Sequence, residues 1–69
     1  MMEEVKISTE YITLDQFLKY VGIAETGGKG KQMILDGLVR VNGNIELKRG
    51  KKLYRGDTVS VNDRHFVII

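Results

Sequence analysis

The residues best placed for chemistry form a glycine- and lysine-rich run, Gly27–Lys31. A Walker phosphate loop would need a glycine five residues before its Gly-Lys pair, but those positions hold Ile23 and Glu25. Neither Lys29 nor Lys31 is followed by the required Ser or Thr, so a nucleotide-binding loop is excluded. Free amides at a helix start, together with two lysines, can instead hold a nucleic-acid phosphate. The alternative is a flexible helix start on the surface.

A second cluster, Lys48–Lys52, places four cations around Gly50 in five residues. Like charges this close repel one another, and a phosphate backbone would relieve that cost. Residues 26–56 hold eight Lys and Arg against two Asp and Glu, a net charge of +6, whereas residues 1–25 carry −3 and residues 57–69 carry −1. This asymmetry indicates a polyanionic partner, with a solvated surface as the alternative.

Other chemistries have little support. The chain has no cysteine, which excludes disulfides, zinc–thiolate sites and a thiol nucleophile. His65 is the one histidine, and it is interpreted as a structural or surface residue. We therefore expect no enzyme activity, no metal and no cofactor. The acidic start and the lack of a long apolar run predict a soluble, cytoplasmic protein without membrane contact.

Three tyrosines, Tyr11, Tyr20 and Tyr54, could stack on bases, although such residues more often cover the edge of a core. Asp57 after Gly56 is interpreted as a turn residue whose carboxylate bonds nearby backbone amides.

The sequence predicts a first helix over 14–21. Thr13 and Gln16 have the spacing of a capping box, and Gly22 is a typical residue just beyond a helix end. The apolar residues recur at the spacing of one helix face, at Leu14, Phe17, Leu18 and Val21.

A second helix is predicted to begin at the Thr26 cap and to stop at Gly37, despite three glycines in its first turn that each cost roughly 1 kcal/mol. Strands are predicted at 4–9, 39–41, 45–47, 58–61 and 65–69, with tight turns at Asn42-Gly43 and Asn62-Asp63. The fold class is therefore α+β, with two packed helices against a small, mostly antiparallel β-sheet.

Thr13 to Val61, 49 of the 69 residues, resembles the ribosomal-protein-S-four RNA-binding domain, also called the alpha-L motif. The shared features are the leucine-rich first helix, the segment Gly37-Leu38-Val39-Arg40-Val41-Asn42-Gly43, and Gly56-Asp57-Thr58-Val59. Within that family, the glycine-lysine run and the basic loop are similar to those of small stand-alone bacterial proteins of the YaaA/YbcJ type. The chain departs from the family in having Thr26-Gly27 where many members carry Ser-Arg, and Gly30 where many carry alanine.

The resemblance implies that residues 1–69 form a single, non-catalytic domain that binds structured RNA, either ribosomal RNA or tRNA, and that it associates with the ribosome. In the family, RNA lies against the second helix and the adjoining β-loop. The implied RNA-binding residues are Lys29, Lys31, Gln32, Arg40, Asn42, Lys48, Arg49, Lys51 and Lys52. The alternative is a protein-interaction adaptor on a ribosome or replication assembly. The RNA target and the oligomeric state stay open.

Overall fold

The computed structural model describes residues 2–69. Two helices, α1 (Leu14–Tyr20) and α2 (Gly27–Leu35), follow each other through a short connection. The strands are β1 (Met2–Val5), β2 (Ile12–Thr13), β3 (Arg40–Val41), β4 (Asn44–Ile45), β5 (Lys52–Leu53), β6 (Thr58–Val61) and β7 (Arg64–Ile68).

Five strands form one sheet in the order β1-β7-β6-β3-β4. β1 pairs with β7 in parallel, and the other neighbours are antiparallel. β2 and β5 form a separate antiparallel ribbon. The predicted α+β class with a mostly antiparallel sheet is confirmed, although the parallel pair makes the sheet mixed.

The start of α1 differs from the predicted capping box, which is wrong. Thr13 makes no side-chain cap bond, and its hydroxyl instead donates to Asp15 Oδ1 at 2.7 Å. The first amides of the helix find tertiary partners, because Leu14 N donates to the Lys51 carbonyl (2.9 Å) and Asp15 N to the Arg49 carbonyl (3.1 Å). A distant loop therefore satisfies amides that a local cap would otherwise have to satisfy.

Other helix boundaries agree with the sequence. α1 ends one residue earlier than predicted, and Gly22 follows in a left-handed conformation with φ of +80°. The Thr26 cap is confirmed, because its hydroxyl accepts from Lys29 N at 3.1 Å. α2 ends at Leu35, just before Gly37.

The strands agree less well with the sequence. β6 has its predicted bounds, and both tight turns are confirmed by positive φ at all four residues, Asn42, Gly43, Asn62 and Asp63. The strand predicted at 4–9 is wrong beyond Val5, because the pairing partner β7 ends at Ile68 and the chain bends at 8–10. The two-residue strands β2 and β5 were missed, since so short a bridge has no periodic signal.

The core lies between the helices and one face of the large sheet. Phe17 of α1 meets Phe66 of β7 edge-to-face, with ring centroids 5.3 Å apart. Both rings are almost fully buried. Other fully buried side chains are Leu14, Leu18, Ile34, Val39, Leu53, Val59 and Ile68.

Candidate nucleic-acid interface

The two basic segments, far apart in sequence, both lie against Asp15 at the start of α1. The backbone amide of Asp15 donates to the carbonyl of Arg49 in the loop before β5. On the α2 side, Gly30 faces α1, and a methyl group built on it would lie 3.6 Å from the Asp15 carbonyl oxygen. Asp15 therefore holds the backbone of the loop that contains Arg49 close to the first turn of α2.

We use the term basic surface for the cations of these two segments: Lys29, Lys31, Lys48, Arg49, Lys51 and Lys52. All six residues are exposed. The ion pair found within residues 2–69 joins Glu3 to Arg64 at 2.8 Å and takes none of these cations. Hydrogen bonding to Arg64 lowers the pKa of Glu3, and the same contact raises the pKa of Arg64. The basic surface thus keeps its charge available for an external anion.

Lys52 differs from its neighbours in the loop because it belongs to β5. Its Nζ atom lies 4.8 Å from the centroid of the Tyr11 ring, and Tyr11 in turn packs against Tyr54 with centroids 5.9 Å apart. The β2–β5 ribbon brings these residues together, since Ile12 is paired with Leu53. The sequence marked Tyr11 and Tyr54 as candidates for stacking on bases, but it did not predict that the two rings contact each other.

Asn42 and Gln32 already use their amide groups within the protein. Asn42 Nδ2 donates to Asp57 Oδ1 (3.2 Å), while Asn42 Oδ1 accepts from Thr58 N (2.9 Å). Gln32 Nε2 donates at 2.9 Å to Oδ1 of Asp36, the residue that follows the end of α2. A base edge would have to compete with these bonds.

Asp57 has the role predicted for it. Its Oδ2 accepts from Tyr54 N at 2.8 Å, which closes the turn around Gly56. With the bond from Asn42, this carboxylate ties the β3–β4 turn to the loop before β6.

Arg40 lies on the exposed sheet face, opposite Ser60 of β6, which is itself paired with His65 of β7. Its Nη1 atom also donates to the Gly43 carbonyl at 3.4 Å. It shares a shallow depression with Leu38 and is not among the contacts that join the two basic segments.

Nothing in the described part of the chain points to a reaction centre. Residues 2–69 contain no group of three His, Cys, Asp or Glu side chains that could hold a metal. His65 Nδ1 lies 3.0 Å from Ser60 Oγ on the exposed sheet, and no carboxylate of the described residues bonds to that histidine. Neither helix of the described chain is long and apolar enough to cross a membrane.

A cationic surface around a helix start is typical of nucleic-acid-binding modules. The model of the S4 domain family matches residues 5–69. The chain therefore belongs to the S4 domain family, an RNA-binding family, as its resemblance predicted. It is also 41% identical over 61 residues to the "Probable ribosome maturation protein RlbA" of Bacillus subtilis (strain 168), a match that covers 88% of this chain and 86% of that protein.

Proposed function

We propose that this protein is a non-catalytic module that docks on structured ribosomal RNA during ribosome maturation. The observation that carries the proposal is the contact of both basic segments with Asp15, which supports a single cationic surface built from distant parts of the chain. Membership of the S4 family and the similarity to a ribosome maturation protein support ribosomal RNA over tRNA.

Docking on phosphates explains the construction of the surface. The loop carbonyls of Arg49 and Lys51 are bonded to α1, so the backbone is held in place while the charged side chains point outward. Lysines and arginines on a preformed frame neutralise phosphates with little loss of backbone entropy on binding. Because A-form RNA is recognised largely by shape and backbone, sequence reading by Asn42 or Gln32 is a minor contribution.

A protein-interaction adaptor is the second candidate, and a group of exposed apolar side chains favours it. Leu35, Leu38, Ile45 and Leu47 are each more than half exposed. A methyl group built on Gly37, two residues after Leu35, would lie 3.9 Å from the Ile45 side chain. Such a contact would be insensitive to salt, whereas phosphate docking weakens steeply as salt rises.

The test is RNA affinity measured over a range of salt concentrations. If four to six phosphates are neutralised, the slope of log K against log salt should be on the order of −3 to −5. Lys29/Lys31→Ala and Arg49/Lys51→Ala should each flatten that slope by about two. A flat salt response in the wild type would contradict the proposal.

A matched single-charge control separates the assigned surface from general cation effects. Lys29→Ala and Lys6→Ala each remove one exposed lysine, but Lys6 lies just beyond β1 and outside the basic surface. We expect Lys29→Ala to weaken binding and Lys6→Ala to leave it unchanged. Equal losses, with folding checked by circular dichroism, would show that the assigned surface is wrong.

A further inference from the structure

Next to the basic surface lies an open groove of about 710 Å³. Its walls are residues 7–12 on one side and Gln16, Lys19 and Tyr20 of α1 on the other. Its size falls within the roughly 300–1,000 Å³ of small-molecule clefts. None of the predicted RNA-binding residues lines this groove.

Two tyrosine rings line the groove and are more exposed than rings that only cover a core. Tyr11 is 38% exposed and Tyr20 is 63% exposed. Each ring is nevertheless held in place. Tyr11 contacts Tyr54 and Lys52, and Tyr20 Oη donates to the Lys6 carbonyl at 3.2 Å. A fixed, exposed ring is a stacking platform that costs little side-chain entropy to use.

The rest of the lining supplies hydrogen-bonding groups around an apolar floor. Ile7 is 5% exposed at the base, while Ser8, Thr9 and Gln16 are exposed polar residues of the walls. The Gln16 amide offers both donors and an acceptor, as the edges of nucleobases do. Glu10 and Lys19 also lie in the lining and offset each other in charge.

The groove meets the basic surface at the Tyr11 ring. Lys52, a member of that surface, lies over this ring, with its Nζ atom 4.8 Å from the ring centroid. An RNA backbone held by Arg49, Lys51 and Lys52 would therefore pass the groove opening.

We propose that this groove binds an unpaired nucleobase of the docked RNA, stacked on Tyr11 or Tyr20. The inference rests on the proposed function and narrows its substrate to a structured RNA with a bulged or looped-out nucleotide beside a helix. Bases inside an A-form helix have no free face for a ring, whereas an unpaired base can swing out and stack.

The experiment compares two RNA hairpins that differ by one nucleotide. One stem is fully paired, and the other carries a single bulged 2-aminopurine, whose fluorescence falls when it stacks. The wild type should bind the bulged hairpin about tenfold more tightly and quench its fluorescence. Tyr11→Phe should retain both effects. At least one of the two variants Tyr11→Leu and Tyr20→Leu should lose both effects while binding the paired hairpin as the wild type does. If one of these variants does not fold, the other provides the test.

The outcomes separate the two proposals. Binding of neither hairpin at low salt would overturn the proposed function together with this inference. Equal binding of both hairpins with unquenched 2-aminopurine would overturn the inference alone. Tighter binding that survives both Tyr11→Leu and Tyr20→Leu would also overturn it. A salt-insensitive protein complex that masks Tyr11 would assign the groove to a protein segment instead.

Discussion

Two polar regions of the surface use their hydrogen-bonding groups in opposite ways. One is the pair of turns that contain Asn42 and Asp57, here called the turn pair. The other is the basic loop, Lys48–Lys52. In the turn pair, side chains bond one another and the local backbone, as in the Asn42–Asp57 and Asp57–Tyr54 contacts. In the basic loop, it is the backbone that bonds, through the carbonyls of Arg49 and Lys51 to the start of α1. The charged side chains of the loop stay exposed.

This difference indicates which polar side chains are free to bind a partner. A side chain committed to an internal bond must give up that bond before it binds RNA, and the net gain is small. A cation on a fixed backbone loses only its own rotamer freedom. The turn pair therefore stabilises the fold, whereas the basic loop is suited to binding. Both regions lie in the segment that resembles the family's RNA-binding domain.

The largest expected effect comes from Phe17→Ala, which would disrupt both regions together. Phe17 joins α1, on which the basic loop rests, to β7 through its contact with Phe66. Removing the ring should cost roughly 3–5 kcal/mol of the free energy of unfolding. Urea titration measures the loss, with Gln16→Ala on the exposed face of α1 as the control. A loss below about 1 kcal/mol would place Phe17 outside the core.

Smaller effects on stability and on RNA affinity should distinguish the turn pair from the basic loop. Asp57→Ala should lower the free energy of unfolding by roughly 1–3 kcal/mol, because it removes two hydrogen bonds to a carboxylate. Its RNA affinity, measured where the variant is folded, should be unchanged. Lys51→Ala should do the reverse, with stability retained and affinity reduced. If both variants lose affinity equally, the distinction between the two regions fails.

The smallest effect is expected at Gly30, where the basic surface meets α1. A methyl group there would lie 3.5 Å from Ala24 Cβ and 3.6 Å from the Asp15 carbonyl oxygen, which are ordinary contacts. Because alanine is a better helix former than glycine by about 1 kcal/mol, Gly30→Ala should raise the melting temperature by a few degrees. Gly28→Ala, on the exposed side, is the control. A decrease for Gly30→Ala alone would show that the helices cannot accommodate the methyl group.

Local signals in the sequence predicted the helices, the tight turns and β6 because each depends on nearby residues. Gly22 ends α1, Thr26 caps α2, and Asn42-Gly43 turns the chain through backbone preferences that act within a few residues. The capping box at Thr13 failed for a complementary reason. The Gln16 amide that the box would have satisfied bonds to Asp15 Oδ1 instead. The Leu14 and Asp15 amides bond to carbonyls more than thirty residues away, at Lys51 and Arg49.

The same division applies to the candidate site. The chain by itself determined which residues carry charge and that the two basic clusters, around Lys29 and Lys51, are separated in sequence. Only the tertiary structure decided that both clusters meet at Asp15, that Tyr11 lies beneath Lys52, and that Asn42 is committed to Asp57. The sequence specifies the residue types and their short-range spacing directly. Contacts between distant segments depend on how the helices and the β2–β5 ribbon bury the shared core, which no local pattern specifies.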